Sequence, residues 1–269
     1  MASVTEAAVT GAVGVVGSKH AAPVTVFFSV TDLTNRFGNL VALDGLSFEV
    51  HRSEILGIAG PNGAGKSTLL NICTGFLAPS AGTIAFGGKR VDGLPPYKIC
   101  HRGVARTFQI PRVFGSLSVE ENVRIGASFG AVRGGQKDVL GHGAVERVLE
   151  VTGLVPRRAL QAGTVDLLTR KMTMLAAALA TDPRIVFMDE PLAGLNAEET
   201  RYFAELIARL RERTEIAFVV VEHKIRVLSR ISDRLMILHF GKRICLDTPD
   251  NVVRDPYVTQ VYLGTAFVA

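Results

Sequence analysis

The sequence predicts an α/β protein whose main sheet is mainly parallel and helix-covered. Three observations carry that prediction. Short apolar runs recur at Ile55–Ala59, Arg184–Met188 and Ile216–Val221. A strand buried on both faces shows such a run rather than an apolar–polar alternation. After residue 180, strand-like and helix-like segments alternate strictly, as crossover-connected parallel strands require. The length, 269 residues, suits one large domain carrying a subdomain.

The elements follow in order. Residues 1–23 are rich in Ala, Val, Gly, Ser and Thr. Within them Ala7–Val16 is apolar, but no Lys or Arg precedes it and Gly11 and Gly14 interrupt it. A flexible N-terminal extension is predicted there rather than a signal peptide, with one domain over 24–269. Val24–Val30 and Leu46–Val50 read as strands. Ile55–Ala59 is a buried strand that breaks at Gly60, and a helix is expected over Lys66–Phe76. Ala81–Phe86 and Lys89–Val91 read as a hairpin around Gly87–Gly88, which makes a small antiparallel part.

Ser118 and Glu121 have the spacing of a capping box, so a helix starts there. Val145–Val151 has helical periodicity and ends at Gly153. Lys171–Ala180 is a further helix. The stretch from about residue 116 to 178 is therefore predicted to be an inserted helical subdomain. Beyond Arg184–Met188, Asn196 caps a helix with Glu199 three residues on. Phe203, Leu206, Ile207 and Leu210 form its apolar stripe. Ile216–Val221, Lys224–Ile231 and Leu235–Leu238 continue as strand, helix and strand.

Bulk properties exclude several classes. Apolar residues make up 48% of the chain, which rules out global disorder. Mean hydropathy is +0.28, yet Met172–Ala180 and Ile216–Val221, the longest apolar runs, are too short to span a bilayer. Thirty Lys and Arg against 25 Asp and Glu give a net charge of +5. That suits an anionic small ligand or an anionic membrane surface. No dense basic run is interleaved with aromatics, so nucleic acid is not expected. Cys73, Cys100 and Cys245 are odd in number and form no CxxC pair. They predict neither a disulfide scaffold nor a zinc site, but buried thiols in a reducing compartment.

Two motifs carry chemistry. Gly60-Pro61-Asn62-Gly63-Ala64-Gly65-Lys66-Ser67 fits the G-x-x-x-x-G-K-[ST] phosphate loop. Its glycines let backbone N–H groups wrap a polyphosphate, and the following helix presents its positive end to the anion. Lys66 reaches the terminal phosphates, and the Ser67 hydroxyl is a Mg²⁺ ligand. The second motif is the apolar strand that ends in Asp189 and Glu190. Asp189 would hold Mg²⁺ beside the loop, and Glu190 would polarise an attacking water as general base. His223, after Ile216–Val221, is either a γ-phosphate contact or an inert strand-end residue on this reading alone.

These residues resemble the nucleotide-binding subunits of ABC transporters over roughly residues 25–266. The resemblance implies an α/β P-loop cassette, with a mainly parallel core, an antiparallel β subdomain and an inserted helical subdomain. It implies ATP and Mg²⁺ as ligands. It extends the phosphate loop to Thr68. Gln109, in Arg106-Thr-Phe-Gln109, is similar to the glutamine that contacts Mg²⁺ and couples to membrane subunits. Asp189-Glu190-Pro191 matches the magnesium carboxylate and catalytic base. Ala193–Asn196 resembles the D-loop, and His223 the switch histidine. Phe37 resembles the aromatic residue that stacks on adenine, with a core aromatic as the alternative.

Arg106–Phe114 and the tail Asp255-Pro256 with Val261–Gly264 are similar to ATPases of branched-chain amino-acid importers and their urea and amide relatives. The resemblance implies a second ATP-binding subunit, two membrane permeases and, indirectly, a substrate-binding protein. The expected location is the inner face of the cell membrane. An exporter ATPase, such as one for lipopolysaccharide, or a mainly ATP-binding subunit remains an alternative. One departure stands out. Val165–Thr169 occupies the place of the family's Leu-Ser-Gly-Gly-Gln signature, with Asp166 at the serine and Leu168 at a glycine. That predicts a weakened signature and a different partner cassette that supplies an intact one, with a homodimer as the alternative.

Overall fold

The computed structural model describes residues 26–130 and 142–260. The predicted N-terminal extension and the tail string Val261–Gly264 lie outside the described residues, as does the start of the Val24–Val30 strand.

The described residues open with β1 (Val26–Phe37) and β2 (Leu40–His51), a long antiparallel pair. β3 (Ile55–Ala59) then feeds α1 (Lys66–Cys73). β4 (Ala81–Phe86) and β5 (Lys89–Arg90) form the hairpin and join β1 and β2 in a four-stranded antiparallel sheet ordered β2-β1-β4-β5. α2 (Pro96–His101) and β6 (Val104–Thr107) follow. Next come α3 (Val119–Ser128), α4 (His142–Thr152), a 3₁₀ turn at Val155–Arg157 and α5 (Leu167–Ala180). β7 (Ile185–Asp189), α6 (Ala197–Arg213), β8 (Ala217–Val221), α7 (Ile225–Ile231) and β9 (Arg234–His239) alternate as expected. β10 (Lys242–Asp247), α8 (Pro249–Arg254) and the short α9 (Pro256–Val258) end the described chain.

The second sheet has six strands ordered β10-β9-β3-β8-β7-β6. β9, β3, β8, β7 and β6 are mutually parallel, and β10 runs antiparallel at the edge. β8 explains why such strands read as unbroken apolar runs. Phe218 and Val220 enter the core beneath the helices, while Ala217, Val219 and Val221 enter the core shared with the antiparallel sheet. Successive side chains take opposite faces, and both faces are buried.

Several boundaries differ from the sequence reading for identifiable reasons. α1 ends at Cys73 rather than Phe76 because Gly75 takes a positive φ of 78° and turns the chain out of the helix. α5 starts at Leu167 rather than Lys171. Asp166 is its N-cap, accepting from the Thr169 N–H at 2.7 Å and the Thr169 hydroxyl at 2.9 Å. The capping boxes at Ser118/Glu121 and Asn196/Glu199 are both formed. β6 was not foreseen: it is four residues long and carries Arg106. The three thiols are unpaired, but only Cys73 is fully buried. Cys100 and Cys245 are half-buried, a correction to the expectation of three buried ones.

The parallel register brings the site together. Ile58 of β3 pairs with Val221 of β8, Asp189 of β7 pairs with Val221, and Thr107 of β6 pairs with Met188. The segments after β3, β6, β7 and β8 therefore leave the same edge of the sheet, the carboxyl ends of its strands, where α/β proteins bind ligands.

Candidate functional site

The phosphate loop connects β3 to α1. Gly65 has φ +102°, and a Cβ there would stand 2.5 Å from the Ala42 carbonyl oxygen. Only glycine lets the loop pass so close to β2. Ala64 is buried beneath the loop, whereas Asn62, Gly63 and Ser67 are exposed. Lys66 is almost wholly buried and donates to the Gly60 and Pro61 carbonyls at 2.7 and 2.9 Å. Burial lowers its pKa, while the Glu190, Asp189 and Glu222 carboxylates act the other way. An arriving triphosphate can replace those two carbonyls as the partner of the ammonium.

The loop opens onto two adjoining clefts. One, of about 520 Å³, is lined by Asn62, Gly63, Gly65, Lys66, Ser67 and Thr68 on one side and by Phe37, Leu40, Val41, Ala42 and Phe240 on the other. Phe37 is half exposed on this wall, so its place is the cleft and not the core. The other cleft, of about 460 Å³, is lined by Gly60, Pro61, Asn62, Gln109, Glu190 and His223. Asn62 and Glu190 border both.

Glu190 is at the centre. Its φ is +42°, an uncommon conformation for a residue with a side chain, held by its N–H donating to Val221 O at 2.9 Å. The Gln109 amide nitrogen donates to Glu190 Oε2 at 2.7 Å. His223 Nδ1 stands 3.9 Å from the same oxygen. Asp189 lies behind, its Oδ2 accepting from Arg106 at 3.0 Å.

Three further polar groups support this cluster, and the sequence reading gave none of them a role. Arg106 bridges Asp189, the Asn71 side-chain oxygen at 2.7 Å and the Thr74 hydroxyl at 3.1 Å, so β6 is tied to β7 and α1. Lys171 is 1% exposed, and its ammonium donates to Gln109 O at 3.1 Å and Glu190 O at 3.5 Å. Burial lowers its pKa. Glu222 is wholly buried. Its Oε1 accepts from the Leu192 N–H at 2.7 Å, and Oε2 has no hydrogen-bond partner. Burial raises its pKa. Glu222 had a sequence signal: like Asp189, it is an acid at the end of a fully apolar strand. Lys171 had a weaker one, a cation on the apolar face of a helix.

In the Val165–Thr169 segment, Asp166 spends both carboxylate oxygens on Thr169. Its charge serves the start of α5.

A phosphate loop at the carboxyl edge of a parallel sheet, faced by an acid-terminated strand, defines a P-loop nucleotide-binding ATPase. The ABC transporter family model matches residues 43–193, more than half of the chain, and the chain belongs to that family as an ATP-binding subunit. Its subunits of this kind are ATPases.

Among curated relatives, the chain is 36% identical to the high-affinity branched-chain amino acid transport ATP-binding protein LivG of Salmonella typhimurium, over 88% of this chain and 98% of that protein. It is 34% identical to the corresponding protein BraF of Pseudomonas aeruginosa, over 88% and 97%. Two solved structures are similar in fold. An ATP-binding cassette of an ABC transporter in its ADP conformation has a TM-score of 0.80 and 29% identity, over 89% of this chain and 99% of that one. A nucleotide-free cassette has a TM-score of 0.79 at the same identity, over 88% and 99%.

Proposed function

We propose that this chain hydrolyses ATP to energise an importer of branched-chain amino acids or a related small amide or urea substrate. The observation that carries the hydrolytic reading is the 2.7 Å bond from Gln109 to Glu190, beside the phosphate loop. The names of the relatives carry the cargo. No helix among the described residues is long and apolar enough to cross a membrane. Membership of the ABC transporter family supports passage through separate permease subunits. The chain would work at the inner face of the membrane, beneath them. Residues 116–178 would form the helical subdomain that meets them.

The residues divide the work. Backbone N–H groups of Gly63–Lys66 and the Lys66 ammonium hold the β- and γ-phosphates. Phe37 takes the adenine ring. Ser67 and Asp189, with the Gln109 side-chain oxygen, form an oxygen-donor set of the kind that holds Mg²⁺ together with substrate phosphates. The ion would neutralise charge on the phosphate oxygens. Glu190 accepts the proton of the attacking water, and His223 contacts the γ-phosphate from the β8 side. The partner cassette would be a different chain with an intact signature, because Asp166 and Leu168 replace the polar and small residues there.

Reconstitution with the two permeases, the second ATPase and the binding protein tests the reading. ATP-dependent uptake of radiolabelled leucine or a small amide is expected, and Lys66→Ala should abolish it. ATP-driven efflux with no uptake would assign the chain to an exporter instead.

A further inference from the structure

Phe240 occupies the turn between β9 and β10 at considerable cost. Its φ is +44°, a left-handed conformation that is a genuine outlier for a bulky side chain. The residue is also 78% exposed, so it forgoes most of the burial that a phenylalanine gains in a core. The turn beneath it is held firmly. The Gly241 N–H donates to the Ala64 carbonyl of the phosphate loop at 3.0 Å, and the Asp44 N–H donates to the Gly241 carbonyl at 3.0 Å. Lys242 pairs with Asp44 at 3.1 Å. The His239 ring packs beside the Phe240 ring, with centroids 4.2 Å apart. An exposed, strained aromatic is thus pinned to the loop that grips phosphate.

The same cleft shows what would cover it. Phe240 lines it together with Phe37, Leu40, Val41 and Ala42, opposite the phosphate loop. All five of these side chains are apolar. Phe37 comes from the β1–β2 end and Phe240 from the β9–β10 turn, so the two rings belong to different sheets.

We propose that Phe240 is a second aromatic contact for the nucleobase, and that it and Phe37 form the two aromatic walls of the base site. The inference rests on the reading of this cleft as the ATP site. The ligand class is a purine nucleoside triphosphate, held at its base by ring contact rather than by side-chain hydrogen bonds. Such contact depends on the π-face that every base has, so ATP and GTP are both accepted.

The test uses the full chain with Phe240→Ala and Phe240→Tyr, and Lys66→Ala as control. Calorimetry measures ATP, GTP and inorganic triphosphate. Phe240→Ala should weaken both nucleotides about tenfold, in the range of base–aromatic stacking. It should leave triphosphate binding unchanged, and Phe240→Tyr should keep parental affinity for all three. The melting temperature of Phe240→Ala should not fall, because alanine in a left-handed turn is no more strained than phenylalanine.

Unchanged ATP affinity in Phe240→Ala overturns the proposal, even if the assembled transporter loses activity, since the ring would then serve a protein contact. Equal loss for nucleotide and triphosphate also overturns it, by showing that the loop itself was disturbed. Triphosphate binding that ignores Lys66→Ala instead overturns the reading of the cleft, and the base site with it.

Discussion

The Gln109 side-chain nitrogen stands 2.7 Å from Glu190 Oε2, and the Lys171 ammonium binds the main-chain oxygens of both residues. The carboxylate oxygen that would accept a proton from water is therefore engaged by the segment after β6. Withdrawal of Gln109 toward a bound nucleotide and metal would free that oxygen. Access to the base is then coupled to occupation of the cleft.

Glu190→Gln should lower ATP turnover at least a hundredfold, the scale of a lost general base, with ATP affinity largely kept. If the two cassettes pair as proposed, the partner's nucleotide would face this chain's Val165–Thr169, and the same change in the partner ATPase should cost much less. Single-turnover hydrolysis by the two assembled variants checks this. Equal loss from either change would refute the asymmetric pair.

Lys171→Met keeps the volume and removes the donor. We expect turnover to fall about tenfold with KM little changed, because Gln109 and Glu190 lose a shared anchor and not a substrate contact. Lys171→Arg should recover part of the rate. A variant whose KM rises while kcat holds would show that Lys171 acts on binding instead.

Glu222 makes stability depend on pH. Burial holds its carboxyl above the ordinary value of 4.5 in the folded chain. Lys66, Lys171 and His223 face it as cations or potential cations, and Glu190 as an anion. The folded state keeps a proton that the unfolded chain releases. This contribution is therefore full below the unfolded pKa and is lost as pH rises toward the folded one. Glu222→Gln removes the dependence. Its melting temperature relative to the parent should climb as pH rises above the ordinary carboxyl value of 4.5. A constant difference over that rise would contradict the assignment.

Asp166→Ala removes the cap of α5 and should cost about 1 kcal/mol, a fall of roughly 2–4 °C in melting temperature. Asp166→Ser should recover most of it. Thermal unfolding followed by circular dichroism distinguishes this from a purely electrostatic role, in which alanine would be neutral.

The segment after Gln109 exposes large apolar side chains, and the proposed permease contact is tested there. Ile110 is 75% and Phe114 58% exposed, and Arg112 lies over the Phe108 ring at 5.0 Å. Asn122 fixes the Phe114 backbone by bonds of 2.7 and 3.1 Å. The double variant Arg112→Ala/Phe114→Ala should reduce uptake several-fold in proteoliposomes while ATP binding by the isolated chain stays at the parental level. Unchanged uptake would place the permease contact elsewhere.

β3, β7, β8 and β9 are legible because burial on both faces leaves a continuous apolar run, as in Phe218–Val221, whereas the two edge strands β6 and β10 are not. The phosphate loop and Asp189–Glu190 were legible because their chemistry is local in sequence. What escaped was non-local or short. β6 has only four residues, and every side-chain partner of Arg106 named above is distant in sequence, Asp189 by 83 residues. Lys171 reaches across 62 residues to Gln109. In the sequence Asp166 stands out only as a departure from the signature serine, and the hydrogen bond to Thr169 three residues on shows that it is also a helix cap. The Lys66–Phe76 helix was drawn too long because its apolar pattern continues through Gly75.

The pairing of β3 with β8 also orders events during synthesis. Ile55–Ile58 lie beside Phe218–Val221, roughly 160 residues downstream. A nascent chain that has emerged only as far as α6 carries all of Gly60–Ser67 but lacks the strand against which β3 is packed. Competence to grip nucleotide therefore arrives late on the ribosome. Until then the apolar faces of β3 and β7 are exposed to chaperones and to misassociation.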